Sequence, residues 1–365
     1  MELTKLLLVT SEFPPQPGGI GNHAHHVAKN LCNHSFEVTI IADVRSKDGE
    51  EERVFDVQQP YKVVRIKRKT PIASTYLERY KRTKSLLKSH DMLLVSGKFP
   101  IWIGGLVSLF STKKIYAVIH GTEVAVPSAL KKKYIKWCLR RFESIIAVSE
   151  FTKSLVDGWN IKNIQVIPNG YALELPPRTK RTTTQTTPRL ITVGNVTQRK
   201  GQHNVVQALP ELKTRYPAIQ YDIVGIPTEK HTLLQAAKSL AVEDAVVFHG
   251  QVSEEEKIKL LQNASIFMML SEPTKEGAVE GFGIAILEAN ALGIPAIGAK
   301  GCGIEDAIAT GVSGKLVAHD DTGAICDAVN DIITSYEVYG NQAKEWSESF
   351  KWDTIIGRYL QILKK

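Results

Sequence analysis

Short, largely apolar runs recur along this chain and alternate with stretches whose apolar positions return every three or four residues. The first run is Leu6-Leu-Leu-Val9, and similar ones stand at 37–42, 63–66, 92–96, 115–119 and 145–148. A strand that is apolar on both faces must be covered on both, as in a parallel sheet flanked by helices. Between the runs, Ala24, Val27, Ala28 and Leu31 return at helical spacing, and 75–89, 101–110 and 151–158 read as further helices. Between Tyr171 and Arg189 the periodicity stops at Pro176-Pro177 and a threonine-rich tract, which reads as a linker. A second series opens at Leu190-Ile-Thr-Val193, with strands expected at 220–224, 245–248, 266–270, 295–298 and 315–317. The chain closes on an amphipathic helix over 352–363.

Strand and helix alternating in this way is a βαβ series, so the pattern predicts two Rossmann-like α/β domains. The expected boundaries are 1–171 for the first domain, 172–188 for the linker and 189–350 for the second, with about 351–365 returning to the first. A chain of 365 residues, 43% of them hydrophobic, is long enough to bury two cores. The four cysteines, Cys32, Cys138, Cys302 and Cys326, lie far apart with no metal-ligand spacing, as expected of reduced thiols. The run Leu6–Val9 is too short for a secretory leader, and nothing approaches the roughly 18 apolar residues of a membrane span. The expected location is therefore cytoplasmic, soluble or peripheral on the inner face of the plasma membrane.

Charge changes the picture of the first domain. Residues 1–170 carry 26 Lys+Arg against 15 Asp+Glu, a net +11, while 171–365 carry 20 against 23, a net −3. The basic residues cluster at 62–69, 79–88 and 131–141. They form either a solvated face or a surface for anionic phospholipid or a diphosphate-linked acceptor, and no nucleic-acid module accompanies them. In 131–141, Tyr134, Ile135, Trp137 and Leu139 interleave with the cations, a mixture suited to an interface.

Candidate chemistry sits where strands end. The run Ile266–Leu270 leads through a glycine-rich loop to Glu280-Gly281-Phe282-Gly283-Ile284 and a helical pattern that contains Glu288. A helix starting there presents free N–H groups and about half a positive charge to a phosphate or sugar oxygen. The first strand ends similarly in Pro17-Gly18-Gly19 before a helix, and Leu190–Val193 ends in Gly194…Arg199-Lys200-Gly201, two cations suited to a diphosphate. The strand 115–119 delivers His120 and Glu123, which on spacing alone read equally as a capped turn. Neighbouring His23, His25 and His26 diverge on a helix and have no carboxylate cluster, so no metal site is expected.

Two glutamates seven residues apart around Gly-Phe-Gly, together with Pro17-Gly18-Gly19 and Lys200-Gly201, resemble the signature of retaining GT-B glycosyltransferases, family 4 in particular. The resemblance covers nearly the whole chain. It implies two Rossmann-like domains facing a cleft, with a C-terminal helix crossing back to the first, a strand near 164–170 closing that domain, and a nucleotide-sugar donor with no obligatory metal. By the same resemblance His120, Glu280 and Lys200 are catalytic. Gly18, Gly19, Arg199, Lys200, Val252, Gly281, Phe282, Gly283, Ile284 and Glu288 would line the donor, Glu288 at the ribose and the backbone near Val252 at the base. Glu123 and His23 would stand on the acceptor side. Family members carry an arginine where this chain has Asn195, and Arg199 is the substitute at hand.

The expected activity is transfer of a hexose, with glucose from UDP-glucose as best guess and a GDP-sugar as the other donor, to a hydroxyl of a glycan or lipid-linked acceptor in surface polysaccharide synthesis. No residue demands a covalent nucleophile, and front-face attack is the family's usual account of retention. The other classes are a GT-B glycoside phosphorylase using inorganic phosphate and, remotely, a nicotinamide-dependent oxidoreductase, for which a G-x-G-x-x-G after a strand is missing.

Overall fold

The computed structural model of the protein describes residues 3–173 and 187–364. The linker expected at 172–188 therefore falls largely outside the described residues. The chain divides into two compact units, Met1–Gly170 with Trp352–Lys365, and Tyr171–Lys351.

In chain order the first stretch runs β1 (Thr4–Thr10), α1 (Gly19–Cys32), β2 (Phe36–Asp43), α2 (Glu50–Asp56), β3 (Lys62–Ile66), α3 (Ile72–Leu87), β4 (Met92–Ser96) and α4 (Lys98–Val107). It continues with β5 (Lys114–Ile119), α5 (Ala129–Leu139), β6 (Ser144–Ala147), α6 (Glu150–Ser154) and β7 (Ile164–Val166). The second unit holds β8 (Arg189–Val193), α7 (Gln202–Arg215), β9 (Gln220–Val224), α8 (Lys230–Ser239), β10 (Val246–Gly250), α9 (Glu254–Asn263) and β11 (Ile266–Met269). After it come α10 (Ile284–Ala291), β12 (Ala296–Ala299), β13 (Gly314–Val317), α11 (Thr322–Thr334) and α12 (Tyr336–Glu348), and the chain ends with α13 (Trp352–Leu363), which belongs to the first unit.

All strands pair in parallel. The first sheet has the order β3-β2-β1-β4-β5-β6-β7 and the second β10-β9-β8-β11-β12-β13. Each order reverses beside its first strand, between β1 and β4 in one sheet and between β8 and β11 in the other. At such a switch point the loops leave in opposite directions and open a crevice at the carboxyl ends of the strands. Leu7, Val9, Leu93 and Val95 on one side, and Leu190, Ile266 and Met268 on the other, are fully buried, so the strands flanking each crevice are anchored in a dry core.

Where the structure departs from the apolar pattern, polar local chemistry is the cause. Helix α2 carries too few apolar residues to register as periodic. It is held by three glutamates in its first turn, which suit the positive helix end, and by the buried carboxylate of Glu52, which accepts the N–H groups of Arg45 and Ser46 at 2.8 Å each. Helix α4 starts at Lys98 rather than 101, since Gly97 in the left-handed region turns the chain directly off β4. In α5 the interleaved residues point inward. Ile135 and Leu139 are core, while Tyr134 and Trp137 stack on one another with centroids 5.7 Å apart and pack against that core. The interfacial mixture read there is thus mostly core packing, and Leu130, 81% exposed, is the apolar side chain α5 offers outward.

The second crevice depends on one close approach. Gly201 has φ +71°, and a Cβ there would lie 1.8 Å from the carbonyl oxygen of Leu270, so the turn after β8 touches the end of β11 directly. Gly201→Ala is expected to cost about 2–4 kcal/mol in urea unfolding, since both the conformation and the contact forbid a methyl group. Gly357→Ala, in α13 with open space around it, should be neutral or slightly stabilising.

Candidate active site

Three segments meet at the crevice of the second unit. The turn Gln198–Lys200 follows β8, the loop 271–283 follows β11, and helix α10 begins at Ile284. Lys200 lays its stem against Gly194, where a Cβ would stand 3.1 Å from the lysine Cε, and its Nζ lies 2.9 Å from Oε2 of Glu280. The Arg199 guanidinium pairs with the same oxygen through Nη1. Burial would push the Glu280 carboxyl up, but Lys200 and then Arg199 more than offset it and hold the group below the usual carboxylate range. Arg199, expected as a substitute for the family arginine where this chain has Asn195, is thus brought beside Lys200.

Glu272 joins the same two loops. It accepts from Gln198 Nε2 at 2.7 Å, lies 3.5 Å from His203 Nε2 and 3.3 Å from His319 Nε2, and its N–H donates to the Arg199 carbonyl at 3.2 Å. Sequence reasoning missed this cluster, since nothing in the spacing of 198, 203, 272 and 319 foretells that they converge.

Helix α10 opens at Gly283, which has φ +100° and supplies no capping side chain, so the first N–H groups of the helix carry no side-chain cap. The Phe282 ring, expected at the donor, packs instead inside the unit at 2% exposure, 6.0 Å from the Phe350 ring. Aromatic area that large is retained by the core, so Gly281-Phe282-Gly283 can offer a ligand its backbone only. Gly303 explains the tightness of this turn: a Cβ there would lie 1.9 Å from the Gly281 carbonyl, and its N–H donates to the Glu280 carbonyl at 2.9 Å.

Glu288 stands within α10, buried, with Lys257 of α9 at 2.9 Å; Lys257 also reaches Glu254 at 2.7 Å. Burial raises the Glu288 carboxyl and Lys257 recovers only part of that shift. Lys257, although burial works against its charge, is held protonated by Glu288 and Glu254. This lysine was also missed, because only the fold sets it opposite Glu288. Val252 lies half-buried just before Ser253, the capping residue of α9, and Ile284 is the first residue of α10.

In the first unit the crevice between β1 and β4 carries His120, Glu123, Gly18 and Gly19. His120 Nε2 is 2.9 Å from the Ser96 hydroxyl, and its backbone N–H donates to Glu123 Oε1 at 2.5 Å. Burial lowers the His120 imidazole to about 3, so it is neutral near pH 7. Burial likewise raises Glu123 to about 7, against the pull of the N–H groups around it, and its Oε2 is buried without a hydrogen-bond partner among the described residues. Gly18 precedes α1 where a Cβ would meet the Glu12 carboxylate at 2.1 Å; Gly19 opens α1 with free space beside it, and no side chain caps the helix.

His23 is a correction. Expected on the acceptor side, it is 1% exposed, bonds Tyr359 of α13 through Nε2 at 2.8 Å, and meets the His120 ring edge-on at 5.0 Å. It supports His120 from behind and has no surface for an acceptor. Its neighbours diverge as expected, His25 to the Tyr61 hydroxyl and His26 stacked on Trp352 at 5.6 Å.

Two sheets with reversed strand order, each with glycine-opened helices at its switch point, make the class of protein clear: the fold is that of GT-B glycosyltransferases. The model for Glycosyltransferase Family 4 matches residues 17–175, and that for Glycosyl transferases group 1 matches residues 178–349. The chain belongs to the family 4 type of GT-B glycosyltransferases, enzymes that transfer a sugar from a nucleotide-sugar donor. A GDP-mannose-dependent alpha-(1-6)-phosphatidylinositol monomannoside mannosyltransferase of Mycolicibacterium smegmatis is 27% identical over 98% of this chain and 98% of its own. Among solved structures, sucrose-phosphate synthase from Thermosynechococcus elongatus matches with TM-score 0.82 at 17% identity, over 99% of this chain and 98% of its own. Anabaena HepE, solved with UDP-glucose, matches with TM-score 0.79 at 18% identity, over 99% of both chains.

Three half-buried histidines give the first unit an acid sensitivity. His25 and His26 are lowered to about 4 and His120 to about 3, in each case chiefly by burial, so between pH 6.5 and about 4 the unfolded chain binds protons that the folded chain refuses. The histidines' contribution to stability is complete above 6.5 and is lost as pH drops through that window. Urea unfolding at pH 4.5, 5.5 and 6.5 should show this loss, and the double variant His25→Gln, His26→Gln should show less of it than wild type. Equal slopes for both proteins would contradict the assignment.

Proposed function

We propose that this protein is a retaining hexosyltransferase, and that Lys200 and Arg199 hold the donor diphosphate while Glu280 orients the donor sugar. The observation that carries the reading is the convergence of both cations on Glu280 beside the uncapped start of α10. Departure of a nucleoside diphosphate leaves charge on the β-phosphate oxygen, and fixed cations with oriented N–H groups stabilise such charge without reorganising. Glu288 accepts from the ribose hydroxyls, the backbone near Val252 meets the base, and Gly18 and Gly19 present the N–H groups of α1 to the diphosphate. Neutral His120 borders the sugar, with Glu123 on the acceptor side.

Two donors head the list. UDP-glucose is the expectation from the family resemblance, and GDP-mannose gains support from the 27% identical relative whose name states that dependence. Release of UDP or GDP over a panel of nucleotide sugars tests the reading; absence of release from every donor, or turnover requiring inorganic phosphate, would replace it with the phosphorylase. Glu288→Gln should weaken nucleotide binding about 10- to 150-fold, the loss of a charged partner to a hydroxyl, while Glu280→Gln mainly lowers turnover. Titration calorimetry and initial rates separate the two variants, and wild-type values in both would refute these roles.

The acceptor we propose is a glycan or lipid-linked glycan met at an anionic membrane surface, a step in surface polysaccharide synthesis. Support comes from the net +11 of residues 1–170 and from exposed apolar side chains at the end of α4, Leu106, Leu109 and Phe110, with the Lys84 ammonium 4.4 Å above the Phe110 ring. Among the described residues no helix is long and apolar enough to cross a membrane, so such contact would be peripheral. Vesicles containing anionic lipid should bind the protein at low salt and release it as the Debye length falls from about 10 Å at 0.1 M to about 3 Å at 1 M. Replacing Lys131, Lys132 and Lys133 by Gln should weaken binding, and unchanged binding would remove α5 from the contact.

A further inference from the structure

We propose that Glu280 determines which nucleotide the site keeps: it competes with a bound diphosphate for Arg199 and Lys200, and it withdraws that competition only when a sugar is attached. This deepens the donor-site reading above and rests on it. The geometry is unusual in that two cations share a single carboxylate oxygen, Oε2, inside a site where Glu280 is 9% exposed. Lys200 and Arg199 make no other ion pair within 4.0 Å among the described residues, so in the empty site their charge is spent on Glu280. The other groups that face Glu280 are the Cys302 thiol, which burial pushes up to about 12 and keeps neutral, and the Gly303 N–H on its carbonyl.

A diphosphate entering this site must take the cations from Glu280 or sit beside its negative charge, and either course costs affinity. With a nucleotide sugar the cost is returned, because the displaced carboxylate is a strong acceptor for a sugar hydroxyl. With the spent nucleoside diphosphate the transferred hexose and its hydroxyls are gone, the ribose hydroxyls belong to Glu288, and the Glu280 carboxylate has the two cations to return to. Glu280 therefore lowers the affinity of product more than that of donor and hastens product release, a separation of donor from product that rigid cations alone cannot provide. Specificity of this kind arises from an unfavourable interaction with the wrong ligand as much as from a favourable one with the right ligand.

Calorimetry on four proteins tests this: wild type, Glu280→Gln, Lys200→Gln, and the double variant, each titrated with UDP, GDP, UDP-glucose and GDP-mannose. Glu280→Gln should bind the nucleoside diphosphate about tenfold tighter than wild type, while its nucleotide sugar gains less or weakens. In the Lys200→Gln background the same substitution should gain clearly less, because one of the contested cations is gone. Unchanged or weaker diphosphate binding by folded Glu280→Gln, checked by its melting temperature, overturns the proposal. So does an equal gain for diphosphate and nucleotide sugar. Should Glu280→Gln not fold, Glu280→Asp shortens the reach of the carboxylate to the cations and is read for the same direction of change. If wild type binds neither UDP nor GDP, it is the donor-site reading that fails.

Discussion

The ion pairs of Glu280 set the terms for the whole second unit. A carboxylate taken out of water costs several kcal/mol unless cations and hydrogen bonds surround it, and even a well-paired buried ion seldom adds net stability over apolar packing. Here two cations are brought to one oxygen by a turn after β8 and a loop after β11, with Gly201 and Gly303 allowing backbone to approach backbone. The core does not need this arrangement, since the β8 and β11 residues beneath it are already buried among their own neighbours. What the arrangement does supply is concentrated positive charge at the carboxyl edge of a parallel sheet, poised against a single negative group.

The first unit meets its crevice differently. Instead of charge it offers glycine-opened helix ends and imidazoles that burial keeps neutral. His120 is held by the Ser96 hydroxyl and backed by the His23 ring, which α13 in turn holds through Tyr359. The terminal helix thus reaches a site residue through one intermediate ring, and its apolar face, Ile355, Ile356 and Tyr359, is buried where it packs. A neutral, oriented ring next to a carboxyl raised to about 7 can accept or donate a hydrogen bond without bringing a full charge of its own.

Much of this was legible in the sequence because most of these parallel strands have an apolar centre and several run directly into a glycine. Every expected strand is present, and Lys200, Glu280 and Glu288 are placed by short motifs whose geometry is local. What escaped is what spacing does not encode. Lys257 opposite Glu288, and Gln198, His203 and His319 around Glu272, converge through tertiary packing from distant segments. Helix α2 escaped because its stability comes from polar end effects rather than an apolar stripe. The α5 stretch misled for the converse reason. Its aromatic and aliphatic residues fit an interfacial pattern, but a short amphipathic helix on a sheet and a helix on a membrane share one periodicity, and here the core claims the apolar side.

Glu280 and Glu288, seven residues apart in one motif, answer the same burial penalty in opposite ways. Glu280 has two cations to itself and is held below the usual carboxylate range; Glu288 has one lysine, shared with Glu254, and stays above it. A carboxylate with surplus cations resists giving them up and takes a new partner only when an anion replaces it. A carboxylate short of cations has unmet acceptor capacity and gains at once from neutral donors such as a pair of hydroxyls. The difference in pairing supports the two roles proposed above: an exchangeable position beside phosphate at Glu280, and a hydroxyl acceptor at Glu288.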